Sequence, residues 1–486
     1  MSQLPAYKAY IDGAWQSARG GEEFKVFEPY LRKPFASVSA CGGTEARAAI
    51  VSAARAFPSW AAVTPSEKAA LFRKTLEIVK RRRAEIADLL ARETGSSISF
   101  ATFQQGMVIE HLDHAASWLY RPKGEVLQSD VPGAYSMSIK RPLGVVASFT
   151  PWNGANILAW RAVLSPLVGG NTVVVKPSEF APISAGLIIA EIAEEAGFPP
   201  GVINVIPHGA GGATEIADEV FASRDTRCIN LIGGVKTARL LAERAGKTLK
   251  RSVLELGGYN PLIVLDDVDI DYAVRSAVFG SFFHQGQVCM NTRKVIIQRK
   301  IYSEFLAKFI ERTQTLRCGD PQDPKTVIGP LITPAAVQKV HEAVQEAASM
   351  GAVIRTGGKF EGQVYEPTIL TDVSHSSRVS NEETFGPVVI VEPVDTEEDA
   401  ITAANRVSYG LVSSILTSNT YRGLELAPRI QCGVVNVNSS TMNAESHVPM
   451  GGVRDSGWGR TGPDSVDDFM DVIWVNARSD QGQYPF

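Results

Sequence analysis

Cysteine is scarce in this 486-residue chain, with five residues at positions 41, 228, 289, 318 and 432. The number is odd and no two of them form a CxxC pair, which argues against a disulfide framework or a structural zinc site and suits a reducing compartment. Histidine is equally sparse, seven in all. His111 and His114 have the i,i+3 spacing of one helix face, but no cysteine or third histidine stands near them in sequence, so no metal site is expected. No apolar run is long enough to span a bilayer, and Met1-Ser2-Gln3-Leu4-Pro5 lacks the basic and apolar regions of a secretory leader. A cytoplasmic protein without a membrane partner is expected. An excess of charge of one sign is also missing, since the formal charge of -4 creates no field that would attract nucleic acid. The densest basic run, Lys80-Arg81-Arg82-Arg83, lies within an amphipathic pattern from Ser66 to Arg92 and reads as a solvated helix face. The complete dinucleotide fingerprint GxGxxG is absent too, because Gly209-Ala210-Gly211-Gly212-Ala213-Thr214 ends on threonine.

What is present is an ordinary globular composition, 44% apolar and 21% charged, on a chain long enough for two or three compact units. Short strands joined by turns are expected over residues 7 to 40, with an Asp12-Gly13 hairpin signal. Helical periodicity follows over Thr44 to Phe57, Ser66 to Arg92 and about Phe100 to Leu119, then an extended ribbon over 123 to 140. Arg141-Pro142-Leu143-Gly144 opens a different regime of continuous apolar strands: Val145 to Phe149, Thr172 to Val175, Val202 to Ile206, Arg227 to Ile232 and Ser252 to Leu256. Helices are predicted between them at about 155 to 168, 182 to 196, 213 to 222 and 236 to 246. That alternation predicts a parallel sheet covered on both faces, a doubly wound α/β unit. A second α/β unit is predicted from strands at 261 to 265, 294 to 298, 388 to 391 and 433 to 437, with helices at 269 to 282 and 302 to 316. The apolar terminal strand from Phe469 to Val475 has no helix to cover it and invites pairing with another strand, such as one from a second subunit.

Ligands on such sheets sit at the carboxyl ends of the strands, and that is where the chemically distinctive residues fall. Thr150-Pro151-Trp152-Asn153 follows the first strand, Lys176-Pro177-Ser178-Glu179 the second, Gly233-Gly234 the fourth, and Glu255 ends the fifth. Glu255, followed by Gly257-Gly258 and Pro261, is a candidate base at the mouth of a turn; the alternative is an ordinary strand-end glutamate. Lys176 and Glu179 could clasp an adenosine ribose, the carboxylate favouring NAD by repelling a 2'-phosphate; a surface ion pair fits the spacing equally well. Gly233-Gly234 before a helix start offers backbone N-H groups to phosphates. In Gly286-Gln287-Val288-Cys289-Met290 a lone cysteine follows a helix, where a helix end and backbone N-H groups are expected to lower its pKa; a buried structural cysteine is the other reading.

These motifs, in this order over nearly the whole chain, resemble those of the aldehyde dehydrogenase superfamily: Pro151-Trp152-Asn153, Lys176-Pro177-Ser178-Glu179, Leu254-Glu255-Leu256-Gly257-Gly258, Gly286-Gln287-Val288-Cys289, Glu383-Thr384-Phe385-Gly386-Pro387 and the run from Pro449 to Arg460. The resemblance implies a Rossmann-type NAD-binding domain over 1-121 and 143-254, an α/β catalytic domain over 255-463, and an oligomerisation ribbon and tail over 122-142 and 464-486, giving a homodimer or a dimer of dimers. It implies Cys289 as nucleophile, Glu255 as general base and Asn153 with the Cys289 N-H as oxyanion hole. NAD would lie against Thr150, Trp152, Lys176, Ser178, Glu179, Gly209, Gly233, Gly234, Leu256, Glu383 and Phe385. The chain departs from the family at Leu231-Ile232-Gly233-Gly234, where Phe-Thr-Gly-Ser is common, and at Lys236 and Ala238. Gly154 after Pro-Trp-Asn, followed by Arg161 at i+7, is similar to the branch acting on salicylaldehyde, benzaldehyde and vanillin. Phe100, Trp160, Phe283, Val288 and Met290 would then wall an aromatic aldehyde, with Arg161 on a polar substituent. An aliphatic, sugar-derived or semialdehyde substrate, and an inactive binding protein of the same fold, are the competing expectations.

Overall fold

The structure is a computed structural model that describes residues 4–482 and 484–486; Met1 to Gln3 of the expected N-terminal domain and Gln483 of the tail lie outside it. Its first seven-stranded sheet is ordered Arg251–Leu256, Thr226–Gly233, Val145–Thr150, Thr172–Pro177, Ile203–Val205, Ala9–Ile11, Ala14–Gln16. The first five strands run parallel. Every residue of Val145–Thr150 is buried, which is why these strands read as unbroken apolar runs. The chain leaves Val145–Thr150 towards Ile203–Val205 on one side and returns to Thr226–Gly233 on the other, so the order reverses beside the first strand. A crevice opens at that reversal, outside the carboxyl ends.

The Asp12-Gly13 signal forms the expected two-residue turn, both residues having positive φ. The hairpin it closes extends the parallel sheet as an antiparallel edge through Tyr10 and Val205. The helices are α1 Gly43–Ala62, α2 Pro65–Thr94, α3 Ile98–Trp118, α4 Ala155–Gly169, α5 Ile188–Ala196, α6 Gly212–Ala222, α7 Val235–Thr248 and, in the second unit, α8 Ile270–Phe282. Thr64 and Glu67 close a capping box at the start of α2, and Gly95 ends it in the left-handed conformation. All fifteen residues of α4 are buried, so this helix, which carries the residues after Asn153, is a core element.

The helix expected over 182 to 196 is divided: Ile183–Leu187 forms a wide π-type turn and only Ile188 onward is α-helical. The buried carboxylate of Glu93 accepts hydrogen bonds from the Ile183 and Ser184 N-H groups at 2.9 and 2.7 Å, taking over the role of the preceding carbonyls. Gly186 lies against Pro177 and Val205 with no room for a Cβ.

The second seven-stranded sheet is ordered Val353–Thr356, Thr368–Thr371, Val388–Val394, Lys294–Gln298, Pro261–Val264, Val412–Leu416, Val434–Val437. Three of its strands, Val353–Thr356, Thr368–Thr371 and Val412–Leu416, were not expected, and the helix predicted from 302 begins at Arg299. The terminal strand, Met470–Arg478, pairs residue for residue with Ala134–Pro142 of the same chain. It therefore completes a three-stranded sheet with Gly124–Leu127 and finds its partner without a second subunit. Val126, Tyr135, Val472 and Trp474 remain exposed on that sheet.

Candidate active site

The turn that carries Cys289 is built under strain. After α8 the backbone enters the left-handed region at His284 (φ 52°), Gln285 (φ 44°) and Gly286 (φ 73°), a conformation that costs a non-glycine residue about 1 kcal/mol or more. Side chains hold it there. Gln285 Nε2 donates to the carbonyls of Gly95 and Pro330 at 3.0 and 2.9 Å. Asn291 Nδ2 donates to Gly280 O and Phe283 O while its Oδ1 accepts from the Val288 N-H. Asn260 Nδ2 donates to Cys289 O at 2.6 Å and to Asn291 O at 2.9 Å. The buried Arg293 guanidinium donates to Gly286 O, Val288 O and, across to the neighbouring loop, Gly386 O. Asn260, Asn291 and Arg293 were not singled out in the sequence. Their signal was a polar residue just before an apolar strand, beside the cysteine motif for Asn291 and Arg293 and after the Glu255 motif for Asn260.

At the carboxyl ends of the first sheet lies a cleft of about 390 Å³, a size typical of cofactor sites. Thr150, Trp152, Asn153, Lys176, Ser178, Glu179, Gly233, Gly234, Glu255, Leu256, Cys289, Glu383 and Phe385 all line it. The fold thus gathers the sulfur and the candidate base in one cleft. Gly209 is the exception: it is not part of the wall, and the side where its Cβ would sit faces the Phe24 ring. Its neighbour His208 is in contact instead, with Nε2 2.7 Å from Lys176 Nζ and 3.8 Å from Glu179. His208, Thr237 and Lys339 join this region without a motif to announce them. Phe385, itself at φ 52°, meets Trp152 edge-on at 5.5 Å. The Glu383 carboxylate lies over Gly257, where a Cβ would collide with it.

A second, apolar cavity is walled by Phe100, Phe103 and Met107 of α3, by Gly154, Ile157, Leu158 and Arg161 at α4, and by Val288, Met290, Met442 and Met450. Asn153 and Cys289 line both cavities, so the sulfur stands where they meet. Two expected wall residues are displaced. Phe283 packs edge-on behind Phe100 at 5.0 Å and lines a separate cavity with Phe279 and Arg312. Trp160 is buried in the core, because residues 154, 157, 158 and 161 share one face of α4 and position 160 falls on another. Among the described residues Arg161 is buried without a carboxylate partner; its Nη1 rests 3.8 Å from Met450 Sδ and its Nε has no partner.

The electrostatics correct one expectation. Burial, then the carboxylates of Glu255 and Glu383, push the Cys289 thiol up to about 12, with Arg161 and the backbone pulling the other way. The helix before the turn ends there, so the pole it presents is its carbonyl end, which does not favour a thiolate. Burial also raises Glu255 above the usual carboxylate range, against the pull of Arg161 and Arg460, and takes Glu383 to about 7. A carboxylate made more basic in this way is a better proton acceptor for a neighbouring thiol or water. Alkylation of Cys289 by iodoacetamide in the unliganded protein is therefore expected to accelerate about tenfold per pH unit through neutrality without levelling, since only thiolate reacts. A rate that levels off at or below neutral pH would contradict this environment.

Residues 15–475 match the aldehyde dehydrogenase family. The chain is 37% identical over 476 residues to a vanillin dehydrogenase of Pseudomonas fluorescens, covering 98% of each chain. It is 36% identical over 482 residues to a benzaldehyde dehydrogenase [NAD(+)] of Pseudomonas putida, covering 99% of this chain and 98% of that protein. The crystal structure of a salicylaldehyde dehydrogenase from Pseudomonas putida G7 complexed with salicylaldehyde superposes with a TM-score of 0.96 at 36% identity, covering 99% of this chain and 100% of that one.

Proposed function

Since this chain belongs to the aldehyde dehydrogenase family and is an enzyme, we propose that it oxidises an aromatic aldehyde to the carboxylic acid with NAD. The observation that carries this is the position of Asn153 and Cys289 on the shared wall of a cofactor-sized cleft and an apolar cavity. An aldehyde in the apolar cavity meets the sulfur from one side. Cys289 releases its proton to solvent and attacks the carbonyl carbon as the thiolate, and the Asn153 amide with the Cys289 N-H stabilises the oxyanion, a contribution of about 3 kcal/mol per donor. A nicotinamide bound in the cleft supplies the hydride acceptor. The thioester left on Cys289 is hydrolysed by a water from which Glu255 withdraws a proton.

The residues fit such a cofactor. Gly234 starts α7 with no side-chain cap, leaving the first N-H groups free for phosphate, and a Cβ there would meet nothing within 4 Å. Leu231-Ile232-Gly233-Gly234 therefore keeps the anion site in backbone form. Lys176 and Glu179 line the cleft and would hold the adenosine ribose, with Glu179 disfavouring a 2'-phosphate, and Glu383, whose buried Oε1 has no partner among the described residues, would hold the second ribose. We take 1-121 and 143-254 as the coenzyme domain and 255-463 as the catalytic domain. Residues 122-142 and 464-486 form the assembly ribbon, whose exposed Val126, Val472 and Trp474 suit contact with a second copy. No helix among the described residues is long and apolar enough to cross a membrane. With five free cysteines we place the enzyme in the cytoplasm.

Arg161, buried with no carboxylate partner among the described residues in a mostly apolar cavity that Gln104 and Asn153 also line, favours a ring with a hydroxyl or other acceptor substituent. Steady-state assays with salicylaldehyde, vanillin, benzaldehyde, succinic semialdehyde and short alkanals, each with NAD and NADP, test this. The hydroxylated benzaldehydes with NAD are expected to give a kcat/KM at least about tenfold above the aliphatic substrates, the value of one charge-assisted hydrogen bond. Preference for semialdehydes or alkanals would overturn the aromatic assignment.

A further inference from the structure

In the sequence His114 pairs with His111, but the fold separates them. His111 is buried against Trp118, with ring centroids 5.1 Å apart. His114 instead lies at the surface of α3 beside Glu110, one turn earlier, and meets His447 from the segment between Ser439 and Met450, which forms neither helix nor strand. The His114 and His447 rings are 5.3 Å apart, and one ligand atom from each of Glu110, His114 and His447 lies within 4.8 Å of the others. Glu445 Oε2 stands 3.3 Å from His447 Nε2, a carboxylate placed to orient the imidazole.

We propose that Glu110, His114 and His447 form a binding site for a divalent transition metal of the zinc class, which ties the 439–450 segment to α3 beside the aldehyde cavity. Two imidazole nitrogens and a carboxylate oxygen are a known zinc set that leaves a fourth position for water. Tetrahedral zinc holds such ligands about 3.3 Å apart, so the three side chains must close by up to about 1.5 Å, which rotamer adjustment at the surface supplies. The location gives the site a consequence. The cavity-lining Phe103 and Met107 lie on the same helix as Glu110 and His114, and Met442 and Met450 flank His447 on the other segment. Both segments that the metal would join thus reach the aldehyde cavity, and bound metal restrains the motion by which aldehyde enters and acid leaves.

Calorimetric titration of the full-length enzyme with zinc ion, together with aldehyde turnover at saturating zinc and after chelation, tests both halves. The expected result is saturable binding of one zinc per chain, weakened more than about tenfold in His114→Ala and in His447→Ala, with the metal-free turnover of both variants unchanged. Zinc should slow wild-type turnover reversibly and leave the variants unaffected. The absence of saturable binding, or equal binding by wild type and variants, would overturn the site. Equal inhibition of wild type and variants would place zinc on Cys289 and overturn the clamp. The binding half stands independently of the proposed aldehyde chemistry; only the turnover half rests on it.

Discussion

Replacing Cys289 by alanine is expected to lower kcat for aldehyde oxidation by more than about 10⁴-fold, in the range seen when a covalent nucleophile is removed. The reason is positional. Of the five cysteines, Cys289 alone lines the cleft and the apolar cavity; Cys41 and Cys228 are buried in the first lobe's core, and neither Cys318 nor Cys432 lines either cavity. Without the sulfur no group at the junction can form a thioester, and direct hydride loss from a hydrated aldehyde lacks the covalent anchor. The fold should survive, because the turn is held by Asn260, Asn291, Gln285 and Arg293 acting on backbone atoms and not through Sγ. Cofactor binding, measured by calorimetry, is expected to stay within a few-fold of the parent protein, since Lys176, Glu179 and the α7 start are untouched. A Cys289→Ala protein that turns over within tenfold of the parent would remove the assigned nucleophile.

How much of this was legible beforehand depended on whether a feature is local. The first sheet was readable because Val145–Thr150 is buried along its length and composed accordingly. Val412–Leu416 was not, since Ser413 and Ser414 interrupt its apolar run; Ser413 Oγ is satisfied by Pro261 O and Ser414 by Ser439 O, partners far away in sequence. The π-type turn at Ile183–Leu187 depends on Glu93, from another helix entirely. The site followed the same rule. Motifs located Cys289, Glu255, Asn153 and most of the cleft, because each sits at the end of an element whose position the pattern fixes. They gave the wrong sign for the thiol, since a cysteine after a helix says nothing of Glu255 and Glu383 reaching it across the crevice. They misplaced Phe283, whose ring turns behind Phe100 because the strained turn redirects the chain at that point.

Glu255→Gln should separate the two halves of the reaction. The side chains are nearly isosteric, and Glu255 Oε1 makes no hydrogen bond whose loss would disturb the fold, while its backbone stays paired with Ile232 in the sheet. What the amide cannot do is take a proton. Thioester hydrolysis is therefore expected to slow by about 10²- to 10⁴-fold, the usual contribution of a positioned base. Mixing enzyme, NAD and aldehyde should give one burst of NADH per active subunit and then a slow steady state, with the acyl group detectable on Cys289 by intact-mass measurement. Removing the carboxylate that acts most strongly on the sulfur also removes a contribution that holds the thiol up, so iodoacetamide should modify Cys289 faster in the variant at a fixed pH. In the parent enzyme the same assignment requires steady-state turnover to fall as pH drops and Glu255 becomes protonated, a loss that begins above the usual carboxylate range because burial raises this group. That acid limb should vanish in the variant. Hydrolysis slower while the thiol becomes more reactive is a combination a merely structural glutamate would not produce. An unchanged steady-state rate, or a slow steady state with neither burst nor acyl adduct, would take Glu255 out of the hydrolytic step.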